Sequence, residues 1–268
     1  MSYQVSGAAS PAEMTCFYGN SRLPVRGPRR DLDARYLACL GGAETFGRFV
    51  PSPFCELLER RLKRKTVNLG GVNCGLDAWL ADPDLISVAS GAELCVLQLP
   101  VLHQLSNRFY RVHPRRNDRF LRASEQLQAL YPEVDFTEFH FTGHLMHRLK
   151  AVDSGRFLTV QTELERAWQS RMQQLIAVLD TSVVLLRLQT LTEEASGDPV
   201  PLSAQMLARI APNAQAVLDV PVHPAAESME LGDMIFGTLQ QPVAEHMLGP
   251  ATHQIIADRL VRTIRDLD

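Results

Sequence analysis

The sequence predicts a three-layer α/β fold around a five-stranded parallel sheet with flavodoxin-like strand order 2-1-3-4-5. Three observations lead there. Short apolar runs recur at Ala34–Leu40, Lys65–Leu69, Glu93–Leu99, Ser182–Leu188 and Ala214–Val220. Gly41-Gly42, Gly70-Gly71 and Pro100 punctuate the ends of the first three. The segments between carry apolar residues at helical spacing, so each strand reaches the next through a right-handed helical crossover. In such sheets ligands bind outside the carboxyl ends of the strands.

Residues 1–33 read as an arm and entry loop, and 34–268 as one α/β domain. Cys16–Arg30 is loop, with Gly27-Pro28 as turn punctuation. After the first strand, Phe54, Leu57, Leu58 and Leu62 lie at helical spacing in the second half of Phe46–Leu62. Further helices are expected from Leu76 and over Asp84–Ser90. The stretch 101–181 is too long for a bare loop. Apolar spacing over Asp118–Leu130, Thr137–Val152 and Phe157–Leu179 makes it a helical insertion or cap after the third strand. Residues 199–210 give a loop and helix with Ser203 as N-cap. Glu227–Gln241 carries no decisive pattern. In the closing helix, Gly249–Ile264, residues Ile255, Ile256, Leu260, Val261 and Ile264 share one face.

With 46% apolar and 21% charged residues and a net charge of −3, the 268-residue chain has the composition of an ordinary globular protein. Bulk charge gives no reason to expect nucleic acid or an anionic membrane. The five cysteines are odd in number and without a CxxC pair, which fits a reducing, cytoplasmic setting. No signal peptide or membrane span is legible, and no cofactor or metal is expected. His140, His144 and His147 share a helix face, but phenylalanines flank them and packing or surface roles suit them better. Cys74 is a candidate thiol without a histidine partner in sequence.

The strand ends carry a resemblance. Gly41-Gly-Ala-Glu-Thr45 resembles the Gly-Asp-Ser-x-Thr block of SGNH (GDSL-type) hydrolases and acyltransferases. Val67-Asn-Leu-Gly-Gly-Val-Asn-Cys-Gly75 is similar to their Asn-x-Gly-x-x-Gly-x-Gly block. His246, followed by Thr252-His253-Gln-Ile-Ile-Ala257, resembles the final block. The chain also resembles a bacterial family, of no activity known to the resemblance, that shares Arg26–Arg30 and His113–Phe120. The SGNH resemblance implies a catalytic His246, an Asn107 amide from the third block, and backbone donors at Gly42 and Asn73. It places the nucleophile at Ala43, whose methyl group cannot attack a carbonyl. Thr45 is the nearest alternative hydroxyl. The expectation is therefore an SGNH-like protein that has lost its serine.

Arg108, Arg111, Arg115, Arg116 and Arg119 follow the third strand with Phe109, Tyr110 and Phe120 interleaved. Guanidinium forks suit carboxylate, sulfate or phosphate, so with Gly42, Ala43 and Asn73 they would form an anion site. Its ligand would be an acidic sugar or a sulfated or phosphorylated metabolite. Arg26, Arg29 and Arg30 would add to the same field. The bland alternative pairs the arginines with Glu125, Glu133 and Asp135. Two other functions stay open: a hydrolase or acyltransferase using Thr45 or a His246-activated water, and a protein-interaction module.

Overall fold

The computed structural model describes residues 14–190 and 198–268; of the expected arm, residues 1–13 lie outside them. A small antiparallel pair, β1 (Thr15–Cys16) and β2 (Val25–Arg26), precedes the sheet. The sheet strands are β3 (Leu37–Gly41), β4 (Thr66–Gly70), β5 (Leu94–Gln98), β8 (Ser182–Thr190) and β9 (Ala216–Val222). They pair in parallel in the order β4-β3-β5-β8-β9, which is 2-1-3-4-5 counted along the chain. Fold class and strand order are as the sequence predicts.

Three layers follow from the period of two along a strand. Ala38 and Leu40 of β3, Cys95 and Leu97 of β5, and Val183 and Leu185 of β8 face one core. It is covered by α3 (Leu76–Leu80), α4 (Pro83–Ser90) and the 26-residue α7 (Ser154–Leu179). Their alternates Leu37, Cys39, Leu94, Val96, Val184 and Leu186 face a second core. That core is covered by α2 (Phe54–Leu62) and the closing helix α10 (Pro250–Arg265). Both faces are buried, hence the near-continuous apolar strand runs.

Side-chain caps set several helix starts: Asp82 Oδ1 accepts from Leu85 N at 2.9 Å, and Ser203 Oγ from Met206 N at the start of α8 (Ala204–Ile210). Helix α7 is fastened near the carboxyl edge. Trp168 Nε1 donates to Pro100 O at 2.9 Å, and Arg171 pairs with Asp77 and donates to Ser106 O.

One expected element is different. Asp118–Leu130 is not a helix throughout. Tyr110–His113 (β6) and Arg116–Ala123 (β7) form an antiparallel hairpin, and only Glu125–Leu130 (α5) is helical, with Ser124 as N-cap. The hairpin wins because its turn is fixed locally: His113 Nδ1 accepts from both Arg115 N and Arg116 N at 3.2 Å. Tyr110, Val112 and Phe120 then point inward together. Helix α6 (Thr142–Val152) begins later than the spacing from Thr137 implies, after a 3-10 turn at Phe136–Glu138. Residues 227–240 are turns and short 3-10 segments, followed by the four-residue α9 (Gln241–Ala244). Among the described residues no helix is long and apolar enough to cross a membrane.

Two histidines are buried in the core. His253, 1% exposed, accepts from Phe54 N through Nδ1 at 3.1 Å and stacks on the Phe54 ring. His103 holds Thr142 Oγ1 at 2.9 Å. Burial lowers both to about 4, opposed at His253 by Glu230 and reinforced by Arg26, and reinforced at His103 by His147. The unfolded chain takes up these protons near pH 6.5 and the folded chain refuses them until about 4. Stability is full above pH 6.5 and falls between 6.5 and 4, by up to about 3 kcal/mol per histidine. Asp198, raised by burial, works in the opposite direction. Urea midpoints measured from pH 7 to pH 4 should therefore drop, and His253→Gln should flatten that drop. An unchanged pH profile in the variant would exclude this role.

Candidate functional site

The site is built where β3 turns into α1 (Ala43–Phe46), a helix of four residues. A Cβ on Gly41 would overlap Thr45 Oγ1 and Gln98 Oε1, so only glycine lets the turn close this tightly. The group filling it is Gln98, a polar residue ending the otherwise apolar β5 and 7% exposed. Its Oε1 accepts from Gly42 N at 3.1 Å, Thr45 N at 3.2 Å and Thr45 Oγ1 at 2.5 Å. Its Nε2 donates to Glu44 Oε2 at 2.7 Å. Glu44, Thr45 and Gln98 form one closed network. The Gly42 N–H, expected as a ligand donor, is spent on Gln98, and the Thr45 hydroxyl is fully buried and donates there too. Ala43 beside them has no hydroxyl.

The second turn is tied to the first by Asn68. Its Nδ2 donates to Thr45 O and its Oδ1 accepts from Gly70 N, both at 2.8 Å. Beyond Gly71, Asn73 adopts φ 64°, a left-handed conformation in which Asn is among the few tolerated residues. The Asn73 carbonyl accepts from Asn117 N at 2.9 Å. Asn117, fully buried, accepts from Ala78 N through Oδ1 and donates from Nδ2 to His113 O. These bonds pin the β6–β7 hairpin to the turn after β4 and carry Arg116 to the sheet edge. Cys74 is no activated thiol: burial, with Asp118 and Asp82, pushes it up to about 12.

Over this edge lies a cavity of about 370 Å³ lined by Phe46, Arg48, Phe49, Asn73, Arg116 and Phe236, among others. Arg48 lies 5.0 Å from the Phe49 ring centre, and Phe49 meets Phe236 edge-on at 5.9 Å. Arg116 Nη2 is 3.5 Å from Asp118 Oδ2. Of the residues expected from sequence, the cavity gathers Asn73 and Arg116. Arg48, Phe46, Phe49 and Phe236 are additions the motifs did not supply. Arg48 could have been found as a cation three residues past Thr45, and Gln98 as a polar residue closing an apolar strand.

The other candidates lie elsewhere. Asn107 is 6% exposed and braces its own turn, accepting from Phe109 N and Tyr110 N and donating to Leu105 O. Arg108 lies by Glu163 and over Phe109; Arg119 lies over Phe141 at 4.2 Å. Arg111 sits opposite Arg122 across the hairpin, and Arg115 is exposed at its turn. The acids meeting the arginines are Glu163 and Asp118, not Glu125, Glu133 or Asp135: Glu133 pairs with Arg156, and Asp135 caps Thr137. Arg26, Arg29 and Arg30 do not join the field. Arg26 donates to the carbonyls of Phe46, Gly47 and Val50, Arg29 lies over Tyr18, and Arg30 pairs with Glu59. His246 is exposed just past α9, outside the cavity wall, whereas the buried histidine of this region is His253. His140, His144 and His147 are exposed, and no cluster of metal-ligating side chains occurs among the described residues.

Comparison with known proteins adds the following. No curated protein matches the chain. Two solved structures resemble it in outline. A lipase, Lip_vut3, from a goat rumen metagenome is 11% identical over 85% of this chain and 96% of its own, with a TM-score of 0.44. LAE5, an alpha/beta hydrolase enzyme from the metagenome of Lake Arreo, Spain, is 14% identical over 88% of this chain and 97% of its own, with a TM-score of 0.44. The sequence model of the family described as a domain of unknown function (DUF6473) matches residues 1–268, and the chain belongs to that family.

Proposed function

We propose that this protein binds a small anionic molecule in the carboxyl-edge cavity, on an SGNH-like scaffold without serine-hydrolase chemistry. The observation that carries this reading is the convergence of Arg48 and Arg116 on one cavity beside the left-handed Asn73 turn. Guanidinium groups bind carboxylate, sulfate or phosphate through charge-assisted hydrogen bonds, the stronger class. Asn73 in a left-handed conformation suits the position at which the SGNH second block has glycine. Loss of catalysis is supported by the Ala43 methyl and by Gln98, whose Oε1 takes donors that an acyl oxyanion would need. Five free thiols, four of them buried, suit a reducing, cytoplasmic setting.

Two measurements test the reading. Calorimetric titration with simple carboxylates, sulfate esters and phosphates should show binding that weakens with added salt. Arg48→Ala and Arg116→Ala should each weaken it about 10- to 100-fold, the worth of one charge-assisted bond. Millimolar anions without heat of binding would sink the proposal. Separately, p-nitrophenyl acetate should give no burst with the wild type or with Ala43→Ser, because Gln98 keeps the turn closed in both. A His246-dependent burst in Ala43→Ser would mean that a working hydrolase site survives.

A further inference from the structure

The chemistry of the cavity wall narrows the class of anion, an inference that rests on the anion-binding reading above. Three of its side chains are phenylalanines, and Val72 and Ile235 add aliphatic surface. Phe236 is held edge-on against Phe49, and Phe49 itself is 4% exposed, so the aromatic wall is braced from behind. A polyhydroxylated ligand needs a partner for each hydroxyl that leaves water. Among the described residues the lining offers few such partners beyond the arginines: Thr15, Asn73 and Gln240, and no Asp or Glu. Sugar sites lean on carboxylates and amides to accept from hydroxyl donors, and among the described residues no carboxylate lines this wall.

Charge limits the head group. Arg116 lies 3.5 Å from Asp118, so one guanidinium is already offset by a carboxylate. Arg48, which lies over Phe49, has no acidic partner among the described residues. The wall therefore presents close to a single net positive charge, flanked by aromatic rings. Its volume of about 370 Å³ lies near the lower end of the range for small-molecule sites, about 300–1,000 Å³.

We infer that the ligand is a singly charged organic anion with an apolar, aryl- or acyl-type body, its head between Arg48 and Arg116 and its body against Phe46, Phe49 and Phe236. This excludes the acidic-sugar option and, by the single charge, a phosphate monoester, which carries about −1.5 to −2 at neutral pH. Phe236 is the specificity-determining side chain: it is partly buried, belongs to the segment covering the cavity, and meets the ligand's body rather than its charge.

Two monocarboxylates of similar size separate the alternatives: 3-phenylpropionate, whose body is apolar, and glucuronate, whose body is hydroxylated. Acetate reports the head group alone. In calorimetric titrations of the whole chain, 3-phenylpropionate should bind at least about tenfold more tightly than either, with a negative heat-capacity change from apolar burial. Phe236→Ala should erase most of that advantage, with a much smaller effect on acetate binding. Phe236→Leu, which keeps apolar volume, should retain part of it. Arg116→Ala should weaken all three. Glucuronate binding as tightly as 3-phenylpropionate, with Arg116 still required, would overturn the apolar-body inference and leave the anion reading standing. Binding of none of the three would end both. Phe236→Ala and Phe236→Leu that bind 3-phenylpropionate like the wild type would place the apolar body elsewhere and overturn the inference.

Discussion

The carboxyl edge of this protein depends on one amide oxygen. Gln98 Oε1 takes two backbone N–H groups and a hydroxyl from the Gly42–Thr45 turn. A buried donor left without an acceptor costs about 1–3 kcal/mol, so this one atom holds β5, β3 and α1 in register at their common end. Gly41 is required by the same contact, because any side chain there would occupy the space of Gln98 and Thr45. Asn68 extends the bracing to β4 by grasping the Thr45 carbonyl. The neighbouring strand ends thus form one polar unit, with both cores lying below it.

What lies above that unit is placed by it. The chain leaves α1 through Gly47, at φ 66°, and turns so that Arg48 and Phe49 follow at the cavity wall. Arg26 reinforces the exit by donating to three carbonyls of this segment. On the other side Asn117 staples the hairpin to Asn73 and to the start of α3, which brings Arg116 opposite. Two buried carboxamides, Gln98 and Asn117, therefore fix the relative position of two cations, the half-buried Arg48 and the exposed Arg116. Neither carboxamide touches the cavity. Their role is one of positioning, and it explains buried polar groups in an otherwise apolar interior.

The fold was legible in the sequence because strands buried on both faces are written as continuous apolar runs, and Gly or Pro marks where they stop. The order 2-1-3-4-5 follows from the likeness to flavodoxin-type sheets, and the closing helix from its own apolar face at helical spacing. The hairpin was not legible, since Phe120, Leu121, Leu127 and Leu130 mimic helical spacing while the deciding interaction is His113 capping its own turn. The site was half legible. Gly41-Gly42 and Asn73 mark the right strand ends, because tight turns and left-handed backbone restrict residue type. The arginines are less legible: five in a run read as one field, yet β pairing sends their side chains to different neighbours, and of the five only Arg116 lines the cavity. Arg48 was missed because it belongs to no motif and its position depends on the path taken after Gly47. Phe236 lies far away in a segment without periodicity, where only tertiary packing reveals a role.

The same amide bears on the chemistry proposed for the edge. A nucleophile elbow needs free donors beside its hydroxyl so that they can meet charge developing on the substrate. A carboxamide oxygen in that position meets those donors permanently, without any charge having to form. With Gln98 in the turn, a serine placed at position 43 would find the Gly42 and Thr45 N–H groups already taken. On the proposed reading Ala43 and Gln98 agree: position 43 carries no attacking group, and Gln98 holds the turn closed. In the proposed binding protein, recognition rests on the guanidiniums and phenylalanines of the cavity and makes no demand on the turn beneath.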